Sequence, residues 1–139
     1  MTVPQEYVNA SRDFDRFMDD FMQIAMLETH HRSYAILRAV LHVFRDHLTV
    51  TDALHFAEIL PAVLRAIFVE NWHPVAEPQP FPDRATLTEE IKANRRDHNL
   101  ASETSISEVA AALRRNVSNA DLDRVLATLP SGAVEYWTP

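Results

Sequence analysis

Apolar residues return every three or four positions along most of the chain, in blocks separated by polar runs and prolines. Phe14, Phe17, Met18, Phe21 and Ala25 fall on one face of a helix that begins near Ser11. Leu37, Val40, Leu41 and Phe44, with Leu48 just beyond, form the stripe of a second helix over 34–47, widened by Ile36 and Val43. A short helix over about 50–59 and another over 62–70, carrying Val63, Leu64, Ile67 and Phe68, complete the first half. The second half repeats the alternation of long and short. A helix from 84 to about 97 has a thin apolar face, Leu87 and Ile91. A firmer one over 103–116 carries Ile106, Val109, Ala110 and Leu113, and a short one over 119–128 carries Leu122, Val125 and Leu126.

Punctuation residues fix where these helices start and stop. Thr49 and Ser118 each stand three positions before an acid, Asp52 and Asp121, a spacing that satisfies the free amides of a helix start. Ser33 and Asp83 are suited to cap the helices that follow them. Pro61 cannot continue the helix before it but suits the first position of the next. Residues 1–9 read as a loose lead-in. Residues 71–83 hold Pro74, Pro78, Pro80 and Pro82, half of the eight prolines, and read as an extended, semi-rigid connector.

The two halves share a pattern. Arg45, Asp52, Leu60 and Pro61 recur as Arg114, Asp121, Leu129 and Pro130, always 69 positions on. Met18, Leu37, Val40, Phe44 and Phe68 fall opposite Leu87, Ile106, Val109, Leu113 and Trp137 at that offset. An ungapped match of caps, core positions and helix breakers predicts a duplicated unit. The expected fold is therefore all-α: one domain, 1–139, of two similar four-helix repeats, about 11–70 and 84–139, around one shared core. Leu37, Val40, Leu41, Phe44, Leu48, Leu60 and Leu64 belong in that core, with Val109, Leu113, Leu122, Val125 and Leu129.

Composition narrows the function. One glycine in 139 residues disfavours strand-rich folds, whose turns consume glycine. A net charge of −7 opposes a nucleic-acid backbone or an anionic membrane as partner. Without cysteine there are no disulfides, thiolate zinc sites or cysteine nucleophiles. No apolar run approaches the ~20 residues of a spanning helix, and Asp13, Asp15, Asp19 and Asp20 break any signal-like stretch, so a cytoplasmic protein is expected.

The same residues resemble a known family. The run Tyr34-Ala35-Ile36-Leu37-Arg38-Ala39-Val40-Leu41-His42, then Leu48-Thr49, His55, Leu60-Pro61 and Trp72-His73-Pro74, is similar to the prokaryotic domain of unknown function 2267. The resemblance runs from about Phe14 to Trp137-Thr138-Pro139 and implies a helical fold with no established activity. Asn71-Trp72-His73 stands where that pattern leads one to expect Gly-Trp-Asp. Ser131-Gly132 interrupts the place where the family continues its last helix, so a frayed C-terminal end is expected.

Candidate chemistry is sparse. Five of seven histidines lie between His30 and His55. Glu28 with His31, and Glu70 with His73, have the Glu-x-x-His spacing of carboxylate-bridged di-metal bundles. A metal-binding protein or metal-dependent enzyme would draw on these four, with His42 and His55. At the 69-residue offset, however, His42 and His55 fall opposite Ala111 and Arg124, which ligate nothing. Serines look like caps, and no glycine-flanked nucleophile or phosphate-cradling loop occurs. Lys92, Arg95 and Arg96 form the one basic cluster, expected to be solvated and paired with acids. Tyr34, Arg38, His42 and Arg45 fall on one flank of the 34–47 helix, expected as its solvated edge, with a polar contact surface as the alternative. The reading reached is a non-catalytic protein-interaction module without a cofactor, forming a homodimer or binding an unknown protein, with Trp72, Tyr136 and Trp137 as interface candidates.

Overall fold

The computed structural model describes residues 2–94 and 101–139. Its described residues are helical, with no strand among them. Ahead of the connector come α1 (Gln5–Val8), α2 (Ala10–Ala25), α3 (His30–Asp46), α4 (Val50–Glu58) and α5 (Ala62–Val69). After it come α6 (Arg84–Ala93), α7 (Ser105–Asn116), α8 (Asn119–Leu126) and α9 (Ala133–Tyr136). The expected extension of α6 to about 97, with Arg95 and Arg96 of the basic cluster, lies outside the described residues.

The expected caps at 49, 83 and 118 form. Thr49 Oγ1 accepts from the Asp52 amide at 3.2 Å, Ser118 Oγ from the Asp121 amide at 3.2 Å, and Asp83 Oδ1 from the Thr86 amide at 2.8 Å. The cap of α3 is Thr29, not Ser33, because the polar run His30-His31-Arg32 already forms its first turn. Thr29 Oγ1 accepts from the Arg32 amide, and Ser33 turns its hydroxyl inward to donate to the Thr29 carbonyl at 2.7 Å. Pro61 sits one position earlier than expected, at the cap of α5. The lead-in is partly ordered: Pro4 starts α1, and Arg65 reaches from α5 to Glu6 Oε2 at 3.3 Å and to the Tyr7 hydroxyl at 3.4 Å.

Helix α3 is the axis of the molecule. Every residue from Ala35 to Arg45 is buried, and α2, α5, α6 and α7 pack around it. A helix covered on all sides has no solvent edge to spare for charges. The expectation that Arg38, His42 and Arg45 line a solvated edge is therefore wrong; they are 5%, 4% and 5% exposed. Helix α2 lies along α7, α4 against α8, and α9 against α7 and α8.

The buried apolar residues on both sides of the connector form one cluster. All the expected core residues are in it except Val125, which is half-buried against its edge. Phe44 stands at the centre, with ring centroids of Phe56, Tyr136, Trp137 and Phe81 at 4.7, 4.9, 5.3 and 5.3 Å. A buried aromatic removes about 150–250 Å² from water, a gross gain of roughly 4–6 kcal/mol each at about 25 cal/mol per Å².

The C-terminal end is a second correction. It is ordered as α9, and Tyr136 and Trp137, expected as surface anchors, are 1% and 0% exposed. The Tyr136 hydroxyl donates to the Val40 carbonyl at 2.6 Å, tying the chain's end to α3. The turn into α9 needs the sole glycine. Gly132 has φ +102°, and a Cβ there would sit 2.7 Å from Phe81 Cβ.

Candidate functional site

The polar side chains of α3 converge on one target, the open end of α5. A helix leaves its last carbonyls without intrahelical donors, and α5 has no basic residue in its own last turn. His42 Nε2 donates to the Ile67 carbonyl at 2.7 Å. Arg45 Nη1 donates to the Phe68 and Glu70 carbonyls at 3.2 and 2.8 Å, while its Nε donates to Asp46 at 3.0 Å. Arg38 Nε lies 3.5 Å from Glu70 Oε2, to which the Tyr34 hydroxyl also donates, at 3.2 Å. Cationic groups thus face the negative end of the α5 dipole from a neighbouring helix.

Burial sets the protonation of this ladder. Loss of water around His42 drives its pKa from 6.5 to about 4; the Ile67 bond opposes this, Arg45 and Arg38 add to it, and Asp46 opposes it. At neutral pH His42 is an uncharged donor. Burial also lowers the Arg45 guanidinium, against the support of Asp46.

Just beyond α5 the chain turns through Asn71 with φ +52°, a left-handed conformation that asparagine tolerates and glycine prefers. That conformation accounts for a glycine being expected at this position. The turn brings Trp72 back over α3, where the Arg45 guanidinium carbon lies 5.7 Å from its ring centroid. An open cleft of about 400 Å³ results, lined by Arg45, Asp46, Leu48, Asn71, Trp72, His73 and Val75. Trp72 is half-buried at its lip, with Val69 and Val75 exposed nearby in the chain.

The metal candidates are not brought together. Glu28, His31, His55 and His73 are exposed, His42 is held by the Ile67 carbonyl, and Glu70 is held by Tyr34 and Arg38. Among the described residues no group of three or more His, Asp or Glu is placed to hold a metal ion. Of the basic cluster, Lys92 pairs with Glu103 and, at 3.6 Å, with Glu89. Arg114 donates from Nε to the Trp137 carbonyl at 2.8 Å and pairs with Asp123 at 2.9 Å.

A family model described as "Uncharacterized conserved protein (DUF2267)" matches residues 14–136. The chain belongs to this family. No curated protein matches it. The matched DUF2267 span takes in α3, α5, the connector and the Trp72 cleft, and it ends at Tyr136 in the buried aromatic cluster. None of the described helices is long and apolar enough to cross a membrane.

Proposed function

We propose that this DUF2267 chain is a non-catalytic interaction module that self-associates through the face around Trp72. In this reading it is one domain of two four-helix repeats, about 11–70 and 84–139, joined by the connector over 71–83. The observation that carries the proposal is the position of Trp72. The chain's other tryptophan is fully buried, whereas Trp72 stands at the lip of an open cleft with an arginine against its ring and exposed valines on either side of it in sequence. Tryptophan and arginine dominate the energetics of protein interfaces when a partner desolvates them. Of the polar groups of α3, His42 and Arg45 are committed to carbonyls at the end of α5, and Tyr34 and Arg38 to the Glu70 carboxylate. The duplication draws support from Arg45 and Arg114, which donate to the carbonyls of Phe68 and Trp137, residues also 69 apart.

Light scattering at micromolar concentration tests the proposal. The expected mass is twice the 15.9 kDa of the chain, falling to 15.9 kDa in Trp72→Ala. A native mass of 15.9 kDa removes self-association. The rival metal reading gains only if untagged protein carries stoichiometric iron, zinc or manganese that Glu28→Ala with His31→Ala removes without unfolding.

A further inference from the structure

His47 lies at the C-terminal end of α3, where the connector and α6 both meet it. Its ring is 8% exposed, and Phe81 covers it with centroids 5.1 Å apart. Nδ1 is 2.9 Å from the Gln79 carbonyl oxygen. Nε2 is 3.1 and 3.2 Å from the two carboxylate oxygens of Glu90, on α6. Both ring nitrogens therefore face acceptors. A carbonyl oxygen cannot donate, and neither can an ionised carboxylate. A neutral imidazole carries a single N–H, so one of its nitrogens points a lone pair at an oxygen. The doubly protonated ring donates on both sides, and its bond to Glu90 is charge-assisted.

We propose that His47 is a proton-operated latch that clamps the connector and α6 onto the end of α3, closed with two ring protons and loosened with one. The clamp joins parts of the chain far apart in sequence: residue 47 on α3, residue 79 in the connector and residue 90 on α6. Helix α6 contributes Glu90 and Arg84, the latter donating to the Glu135 and Thr138 carbonyls. Helix α3 contributes Arg45 and Asp46, paired with each other at 3.0 Å. Helix α9 contributes the Tyr136 hydroxyl, which donates to Val40. The connector between Pro78 and Pro82 supplies only the Gln79 carbonyl and the Phe81 ring, neither titratable.

The direction follows from the donor count. Histidine changes charge between about pH 5 and 8. A ring that has given up one of its two protons turns a lone pair on Gln79 or Glu90. The seam then loosens locally, while Leu87 and Ile91 keep α6 attached to the core. This inference does not depend on the Trp72 reading, which concerns assembly.

Amide hydrogen exchange on the full chain, expressed as protection factors, tests the latch at pH 6 and pH 8. Protection along α6 should fall about tenfold towards pH 8 in the native protein, the scale of one charge-assisted bond. It should change little in His47→Gln, and Glu90→Gln should likewise flatten the response. The ring-nitrogen NMR signals of His47 should show both nitrogens protonated where protection is high and only one where it has fallen. Protection that is flat or rises towards pH 8, an equal fall in both variants, or high protection with the ring a neutral single tautomer would each overturn the proposal. If His47→Gln does not fold, Glu90→Gln and the ring signals of the native protein decide alone.

Discussion

Acidification should weaken the fold through His42, and the size of the loss can be worked out. The ring is 4% exposed, and its Nε2–H is given to the Ile67 carbonyl. Burial holds its pKa at about 4 against 6.5 for a free histidine. In the unfolded chain the ring takes a proton as pH falls through 6.5, whereas in the folded chain it stays neutral until about pH 4. Between those values the unfolded state binds more protons, so stability is fully present above the upper value and drains away towards the lower. At 1.36 kcal/mol per pKa unit the loss is on the order of 3 kcal/mol. For a chain whose stability is typically about 5–15 kcal/mol, that is a large fraction.

The assay is urea unfolding followed by circular dichroism at pH 7.5, 6, 5 and 4, on the native protein and on His42→Gln. Glutamine keeps an N–H for Ile67 and does not titrate. Every other acid and histidine is common to both proteins. The difference between the two curves isolates His42. Native protein should lose roughly 3 kcal/mol more than the variant across the window. Parallel curves would show that His42 takes its proton without cost, and that the closed, dry ladder against α5 is wrong.

Two further substitutions probe the joints of the fold. Gly132→Ala forces a side chain into φ +102° and against Phe81, so a loss of at least about 2 kcal/mol is expected in the denaturant midpoint; an unchanged midpoint would mean the α8–α9 turn relaxes freely. Arg45→Met leaves the Phe68 and Glu70 carbonyls without their donor, at a cost of about 2–4 kcal/mol and with Trp72 fluorescence shifted as its cation partner is lost; a near-neutral effect would mean water replaces the guanidinium.

Much of this architecture was legible in the sequence, and what was not has physical causes. Helical spacing marked α2, α3, α5, α7 and α8, and cap residues at 49, 83 and 118 set the starts of α4, α6 and α8. Helix α9 escaped because four residues are too few for a periodicity, and a chain end rich in aromatics reads as exposed. Tyr136 and Trp137 pack against Phe44, more than 90 positions earlier, and no local pattern carries that contact. Thr29 and Ser33 are both hydroxyl residues four apart, and either fits a cap. The polar turn between them left no apolar mark to choose.

The flank Arg38, His42 and Arg45 is the instructive failure, because charges at helical spacing look the same facing water or facing the end of another helix. A signal did exist. Helix α5 has no basic residue in its last turn and runs through Glu70 into the left-handed Asn71, so its final carbonyls needed donors from elsewhere. The sequence offset also offered one, since Arg45 is matched by Arg114 at the same spacing that pairs Phe68 with Trp137. Two arginines 69 positions apart, each donating to the carbonyl of an aromatic at the same offset, are better explained by a helix end to be closed than by a solvated edge. Under the duplication reading, Arg114→Met should weaken the α9 end as Arg45→Met weakens α5. The cost should be smaller, because Arg114 is 20% exposed in its side chain and water can reach what it leaves behind.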